Sequence, residues 1–114
     1  MHTDYEDSVL EFVLPGGKEL TPFNLFLHVW LVIKGRWPEA EPIIMEDPNY
    51  AYLYAKDVIK GRWPEAEPTI KEYPQWACWY ALNVIKGRWP EAEPTIRKNL
   101  DTWKVYRKHF GISE

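Results

Sequence analysis

Apolar side chains recur along the chain with the spacing of an amphipathic helix. In the central segment they occupy the i, i+3, i+4, i+7 and i+8 positions of one face: Ala51, Tyr54, Ala55, Val58 and Ile59. Asp47 followed by Pro48 is typical of a helix start, with a capping side chain and then proline at the first helical position. Gly61 stands where a left-handed residue usually ends a helix. The pattern therefore predicts a helix that begins at Pro48 and ends before Gly61.

The same pattern returns every 26 residues. The segment Val58–Ile70 recurs unchanged as Val84–Ile96, and it recurs as Val32–Ile44 with one substitution, Ile43 for threonine. Each unit reads as a long helix followed by a shorter one. A proline inside a helix removes a hydrogen bond, so Pro68 predicts a tight or 3₁₀-like turn before the second helix. A single hairpin of this size cannot bury its apolar face, so neighbouring units are expected to stack.

The predicted fold is all-α: a short right-handed α-solenoid of stacked helical hairpins in one folded domain. Residues 1–20 form an N-terminal capping segment, residues 21–99 form three repeats, and residues 100–114 form a C-terminal capping helix. The first long helix is apolar on both faces, and five residues are expected to cover it: Val9, Leu10, Phe12, Val13 and Leu14. In the terminal helix, Arg107 replaces an alanine of the apolar stripe, which indicates a polar closing cap.

The invariant signature of the units carries parallel rows of Arg, Trp and Glu. The rows are Arg36, Arg62 and Arg88; Trp37, Trp63 and Trp89; Glu39, Glu65 and Glu91; and Glu41, Glu67 and Glu93. We expect the tryptophans to form a scaffold between successive hairpins and the arginines to pair with glutamates. The alternative is an anion-binding track formed by the arginines, or by Lys104, Arg107 and Lys108 of the terminal helix. Two glutamates beside every arginine favour the scaffold, because they lower the positive potential that a phosphate needs.

Positions that differ between units are candidates for function. Four aromatic residues lie off the repeated apolar stripe: Tyr50, Tyr52, Trp76 and Trp79. They could form a partner-binding patch, since tyrosine and tryptophan are enriched at interfaces. They could equally pack against the neighbouring helix, and the pattern leaves both interpretations open.

Composition limits the kinds of function and the cellular location that the sequence predicts. The chain holds seven Trp, seven Tyr and a net charge of −3 in 114 residues, too mild a charge for strong attraction to any partner. Cys78 is the single cysteine, which fits a reducing compartment, and no apolar run approaches the roughly 20 residues of a membrane span. No catalytic triad, phosphate loop or metal motif is present, and His28 lies in the apolar phase. We therefore expect a cytoplasmic protein that is not an enzyme and binds no cofactor or metal.

The string Gly-Arg-Trp-Pro-Glu-Ala-Glu-Pro, which follows the Ala- and Tyr-rich segment 47–60, resembles a tandem repeat of tailed-phage and bacterial proteins. The resemblance covers residues 21–96 and implies a phage-associated origin, and the repeat type carries no assigned activity. Small phage proteins without enzyme motifs often bind and disable a host factor.

Three functions follow as hypotheses. The first is a non-enzymatic protein-binding module, for instance a phage-encoded inhibitor of a host or anti-phage defence protein in the bacterial cytoplasm. The second is nucleic-acid or nucleotide binding through the arginine row or the basic terminal helix. The third is a structural protein that assembles head to tail, because residues 1–20 are acidic and residues 97–109 are basic.

Overall fold

The computed structural model describes residues 12–113, and within this range every regular element is helical. Seven α-helices follow one another: α1 (Pro22–His28), α2 (Glu41–Ile44), α3 (Pro48–Tyr54), α4 (Glu67–Lys71), α5 (Pro74–Tyr80), α6 (Glu93–Ile96) and α7 (Leu100–Phe110). The predicted all-α repeat fold is confirmed.

Turns of other helix types connect these elements in each unit. The long helices α1, α3 and α5 each continue into a π-helical turn: Val29–Ile33, Ala55–Ile59 and Ala81–Ile85. A 3₁₀ turn precedes each short helix: Pro38–Ala40, Pro64–Ala66 and Pro90–Ala92. A further 3₁₀ turn, Pro15–Gly17, lies before α1. The tight turn expected before Pro68 is therefore present, and proline suits it because the first N–H groups of a helix have no intrahelical partner.

The helices form two layers. The long helices α1, α3, α5 and α7 pack side by side in chain order, and each short helix packs against the long helices before and after it. The described part of the chain measures 51 × 30 × 19 Å, as expected for an elongated stack. The apolar stripes meet between the layers, where Ala51, Ala77 and Ile70 are fully buried.

The residue that ends each of the three long helices of the repeats, α1, α3 and α5, is a lysine and not the glycine that the sequence suggested, whereas α7 ends at Gly111. Lys34, Lys60 and Lys86 adopt left-handed conformations, with φ of 58°, 62° and 60°, whereas Gly61 does not. The π turn explains the difference. The Lys60 N–H donates to the carbonyl of Ala55, five residues earlier, at 2.7 Å. In this wider turn the left-handed residue that reverses the chain is Lys60, one position before the predicted Gly61.

Three of the four long helices have a side-chain cap at their N-terminus. Thr21, Asp47 and Asn99 each accept a hydrogen bond from a backbone N–H of the first turn. Tyr73 occupies the equivalent position before α5, makes no such bond and is exposed.

The two ends of the stack are closed to different extents. Leu14 is buried, but Phe12, Val13, Trp30 and Leu31 are exposed, and Val9 and Leu10 lie outside the described residues. At the other end α7 buries Trp103 and Tyr106, and the Arg97 guanidinium lies 4.2 Å from the ring centre of Trp103. Within residues 12–113, the apolar surface of the first unit is therefore only partly covered.

The missing cap on α5 gives a stability prediction. We expect Tyr73→Asp to raise the free energy of unfolding by about 1 kcal/mol relative to Tyr73→Ala, because aspartate can accept the free N–H groups of the first turn. Urea unfolding followed by circular dichroism measures the difference. Equal stabilities of the two variants would show that the end of α5 gains nothing from a cap.

Candidate interaction surface

Each invariant motif is bound to a tyrosine of the next unit. In the central junction Arg62 donates two hydrogen bonds to Glu67, at 2.9 and 2.8 Å. The Tyr80 hydroxyl donates to the same carboxylate at 2.7 Å and accepts the backbone N–H of Trp63 at 2.8 Å. The other junctions repeat these contacts with the sets Arg36, Trp37, Glu41 and Tyr54, and Arg88, Trp89, Glu93 and Tyr106. We call this four-residue arrangement the tyrosine interlock.

The tyrosine matters more to folding than the ion pair does. The arginine side chains are about half exposed, and exposed ion pairs contribute only about 0–1 kcal/mol. Tyr54, Tyr80 and Tyr106 are fully buried, so a lost hydroxyl would leave a main-chain N–H without an acceptor. The indoles add packing: Trp63 is 1% and Trp89 2% exposed, and their rings lie 4.7 and 4.9 Å from Tyr54 and Tyr80. Trp37, in the first unit, is only half-buried and contacts Phe12 and His28.

Ionisation of the interlock is shifted by its surroundings. Burial, and donation to Glu93, raise the pKa of Tyr106 to about 12. Burial also raises the pKa of Tyr54 and of Tyr80. The hydrogen bonds from Arg88 and Tyr106 lower the pKa of Glu93. For Glu67, burial acts to raise the pKa, but the bonds from Arg62 and Tyr80 outweigh it and the pKa is lowered. Neutral tyrosine and ionised glutamate are thus the states that the fold favours.

The arginines of the row are therefore already paired with glutamates of their own units. Arg36, Arg62 and Arg88, the alternative anion-binding residues, each face the carboxylate of their own unit. Of the basic residues on α7, Lys104 and Lys108 are exposed and Arg107 is half-buried. The structure does not bring the arginine row and the basic helix together into one site.

Three of the four candidate aromatic residues pack between long helices. Tyr50 of α3 contacts Phe23 and Phe26 of α1, at ring distances of 5.6 and 5.9 Å. Tyr52 is buried, 6.0 Å from the ring of Trp76, and its hydroxyl accepts a hydrogen bond from Asn83. The four residues are not equally accessible, since Tyr52 is buried, Tyr50 and Trp76 are half-buried and Trp79 is exposed. Their role in binding a partner stays a prediction.

Trp79 differs from the other three because it is exposed. It is 38% exposed and shares a groove of about 180 Å³ with Val105 of α7. Leu27 and Leu53 hold the equivalent positions on α1 and α3. An apolar residue therefore stands at the same outward position of all four long helices.

These residues belong to a larger surface, which we call the outer face. It comprises the i, i+4 and i+7 positions of the four long helices: Phe23, Leu27, Trp30; Asn49, Leu53, Lys56; Gln75, Trp79, Leu82; and Asp101, Val105, Lys108. None of the twelve is buried, yet seven are apolar. Phe23, Trp30 and Val105 were not among the candidate residues predicted from the sequence. The sequence nevertheless held the signal, because Phe23 and Trp30 lie four residues before and three residues after Leu27, and Val105 occupies the position of Leu27 on α7.

Cys78 and His28 were considered for reactive chemistry, and both lie in packed surroundings. Cys78 is buried, and burial raises its pKa to about 11, so the thiol stays protonated near neutral pH. His28 is half-buried against Phe12 and Trp37. No group of three or more metal-binding side chains occurs within residues 12–113. The helices of that range are too short or too polar to cross a bilayer.

Comparison with protein-family models, with curated proteins and with solved structures finds nothing that matches this chain. The resemblance of the repeat to those of phage and bacterial proteins stays a prediction.

The interlock predicts a large effect from one oxygen atom. We expect Tyr80→Phe to lower the free energy of unfolding by about 1–3 kcal/mol, because the Trp63 N–H and the Glu67 carboxylate both lose a partner. Tyr73→Phe, which removes an exposed hydroxyl, is the matched control and should change stability by less than about 0.5 kcal/mol. Similar losses in both variants, measured by urea unfolding, would contradict the interlock.

The raised tyrosine pKa predicts alkaline instability. An unfolded tyrosine ionises near pH 10, and Tyr106 in the fold ionises at about 12. Its stabilising contribution is complete below about pH 10 and is lost as the pH rises through 12. Thermal unfolding between pH 8 and 12 should show this decline, and Tyr106→Phe should show a shallower one. Parallel curves for the two proteins would count against the shift.

Proposed function

We propose that this protein is a non-enzymatic protein-binding module that holds a partner on its outer face. The observation that carries the proposal is the apolar row at one outward position of every long helix, in which Trp79 and Val105 are exposed and Leu27 and Leu53 are half-buried. Outward positions of a surface helix are normally polar, since only the opposite stripe faces the core. A run of exposed apolar side chains across several helices is typical of an interaction site.

The residues of the outer face suit recognition. Trp79 and Trp30 are large aromatic side chains that remain 38% and 51% exposed, and tryptophan is among the residues that contribute most when an interface buries it. Their backbone is held on rigid helices, so a partner would order few additional groups on binding. Protein binding therefore uses features of the outer face that the stack itself does not need.

The other hypotheses have less support. Nucleic-acid binding through the arginine row is disfavoured because each guanidinium already binds a carboxylate. Head-to-tail assembly, and a host or anti-phage defence protein as the partner, stay predictions from the sequence.

Site-specific photocrosslinking tests the proposed surface. A photoreactive phenylalanine analogue is placed at Trp79 on the outer face, or at Glu65 on the short-helix layer, which is also exposed. In bacterial cells, we expect adducts of defined mass from position 79 and few from position 65. The double variant Trp79→Ser, Val105→Ser, with the analogue at Leu53, should lose these adducts. Equal or stronger crosslinking from position 65 would contradict binding on the outer face.

A further inference from the structure

A groove rich in lysine borders the outer face. It lies between the ends of the second and third long helices and has a volume of about 490 Å³. Its lining residues are Lys56, Lys60, Gly61, Asn83, Val84 and Lys86. Lys56 belongs to the outer face itself, and Asn83 lies one turn after Trp79, so the groove and the apolar row adjoin.

Only this junction gathers three amines. At the position of Lys56 the first unit has Trp30 and the third has Leu82. Lys56 pairs with Asp57 at 3.1 Å, whereas Lys60 and Lys86 make no ion pair within the described range. Two positive charges of the groove are therefore available to a ligand.

The left-handed lysines carry a conformational cost that packing does not explain. A non-glycine residue in this conformation is strained, and glycine would adopt it without that cost. Gly61 directly follows Lys60, and a side chain built at Gly61 would meet no atom within 4 Å. The reverse order, glycine then lysine, would relieve the strain and keep a positive charge at the helix end. The observed order occurs in all three units, and in the second and third it places an amine at the groove.

Charge is divided between the two layers of the stack. The long-helix segments 21–34, 47–60, 73–86 and 99–112 carry seven Lys or Arg and three Asp. The short-helix segments 35–46, 61–72 and 87–98 carry six Lys or Arg and eight Glu. Although the whole chain is acidic, the layer with the apolar row is positive and attracts an acidic partner.

We propose that the outer face binds an acidic amphipathic helix of a partner protein, whose apolar side chains cover the row around Leu53 and Trp79 while its carboxylates enter the groove of Lys56, Lys60 and Lys86. This inference rests on the proposed function. Neighbouring helix axes lie about 8–10 Å apart, so a partner crossing three long helices spans about 20 Å. At 1.5 Å per residue this corresponds to about 14 residues. A helix carries apolar and acidic rows side by side at i, i+3 and i+4 positions, which matches the adjoining row and groove.

A displayed library of randomised 14-residue helices tests the proposal without a known partner. The library is selected against the intact protein, against the double variant Lys60→Gly, Lys86→Gly, and against Lys34→Gly. Lys34→Gly is the control for each single replacement, because it removes one positive charge and one left-handed lysine in a junction that has Trp30 at the position of Lys56. Urea unfolding should show that none of these glycine variants is less stable than the parent.

We expect the intact protein to enrich helices with one apolar and one acidic row. Their affinity should fall about tenfold or more in the double variant and less than about twofold in Lys34→Gly. Enrichment of apolar helices without acidic residues, lost on Trp79→Ser, would overturn the inference and leave the proposed function standing. Selection of no helix at all would overturn the inference, and photocrosslinking would then decide the proposed function.

Two other ligands are tested in the same way. A 14-nucleotide single-stranded DNA and vesicles of phosphatidylcholine with 30% phosphatidylserine both present anionic groups. If either binds more tightly than the enriched helices and depends on Lys60 and Lys86, the groove serves a phosphate surface and the acidic-helix proposal is wrong.

Discussion

A buried tyrosine hydroxyl that joins one unit to the motif of the unit before it is the contact on which this stack depends. It donates to a glutamate that the unit's own arginine already holds, and it accepts the N–H of the adjoining tryptophan. Burying the carboxylate requires both donors, and burying the N–H requires the acceptor. Removing the tyrosine therefore leaves two polar groups without a partner at once.

The interlock also determines what is left for binding. It fixes α3, α5 and α7 each against the preceding motif, so equivalent positions of these neighbouring helices align along the stack. Polar chemistry is concentrated at the junctions, where the side chains satisfy one another. The outward side of the long helices is then free to differ between units, and it is there that Lys56 replaces a tryptophan or leucine and Trp79 replaces a leucine. The structural and variable roles fall on different layers of the same repeat.

The 26-residue period and the positions of proline were sufficient to predict the helical units, their stacking and the 3₁₀ turns. The left-handed lysines were not predictable, because a π turn leaves no mark in an i, i+3, i+4 pattern. Tyr54 and Tyr80 were assigned to the apolar stripe. This is correct for their buried rings, but it did not predict the hydrogen bonds of their hydroxyls. A signal did exist: a tyrosine follows each of the three motif tryptophans by 17 residues, and His28, which no motif precedes, breaks the series. Periodicity could not tell that Tyr52 and Trp76 face a neighbour while Trp79 faces outward.

Native-state hydrogen exchange of Tyr106→Phe tests the interlock most directly, because α7 is joined to the stack by a single interlock, through Tyr106. Loss of about 1–3 kcal/mol at that junction corresponds to a roughly 5- to 150-fold faster exchange of the α7 amides. The account predicts this acceleration in α7, with the amides of α1 and α3 exchanging as in the parent protein. Unchanged exchange in α7, or an equal acceleration in all the long helices, would contradict it.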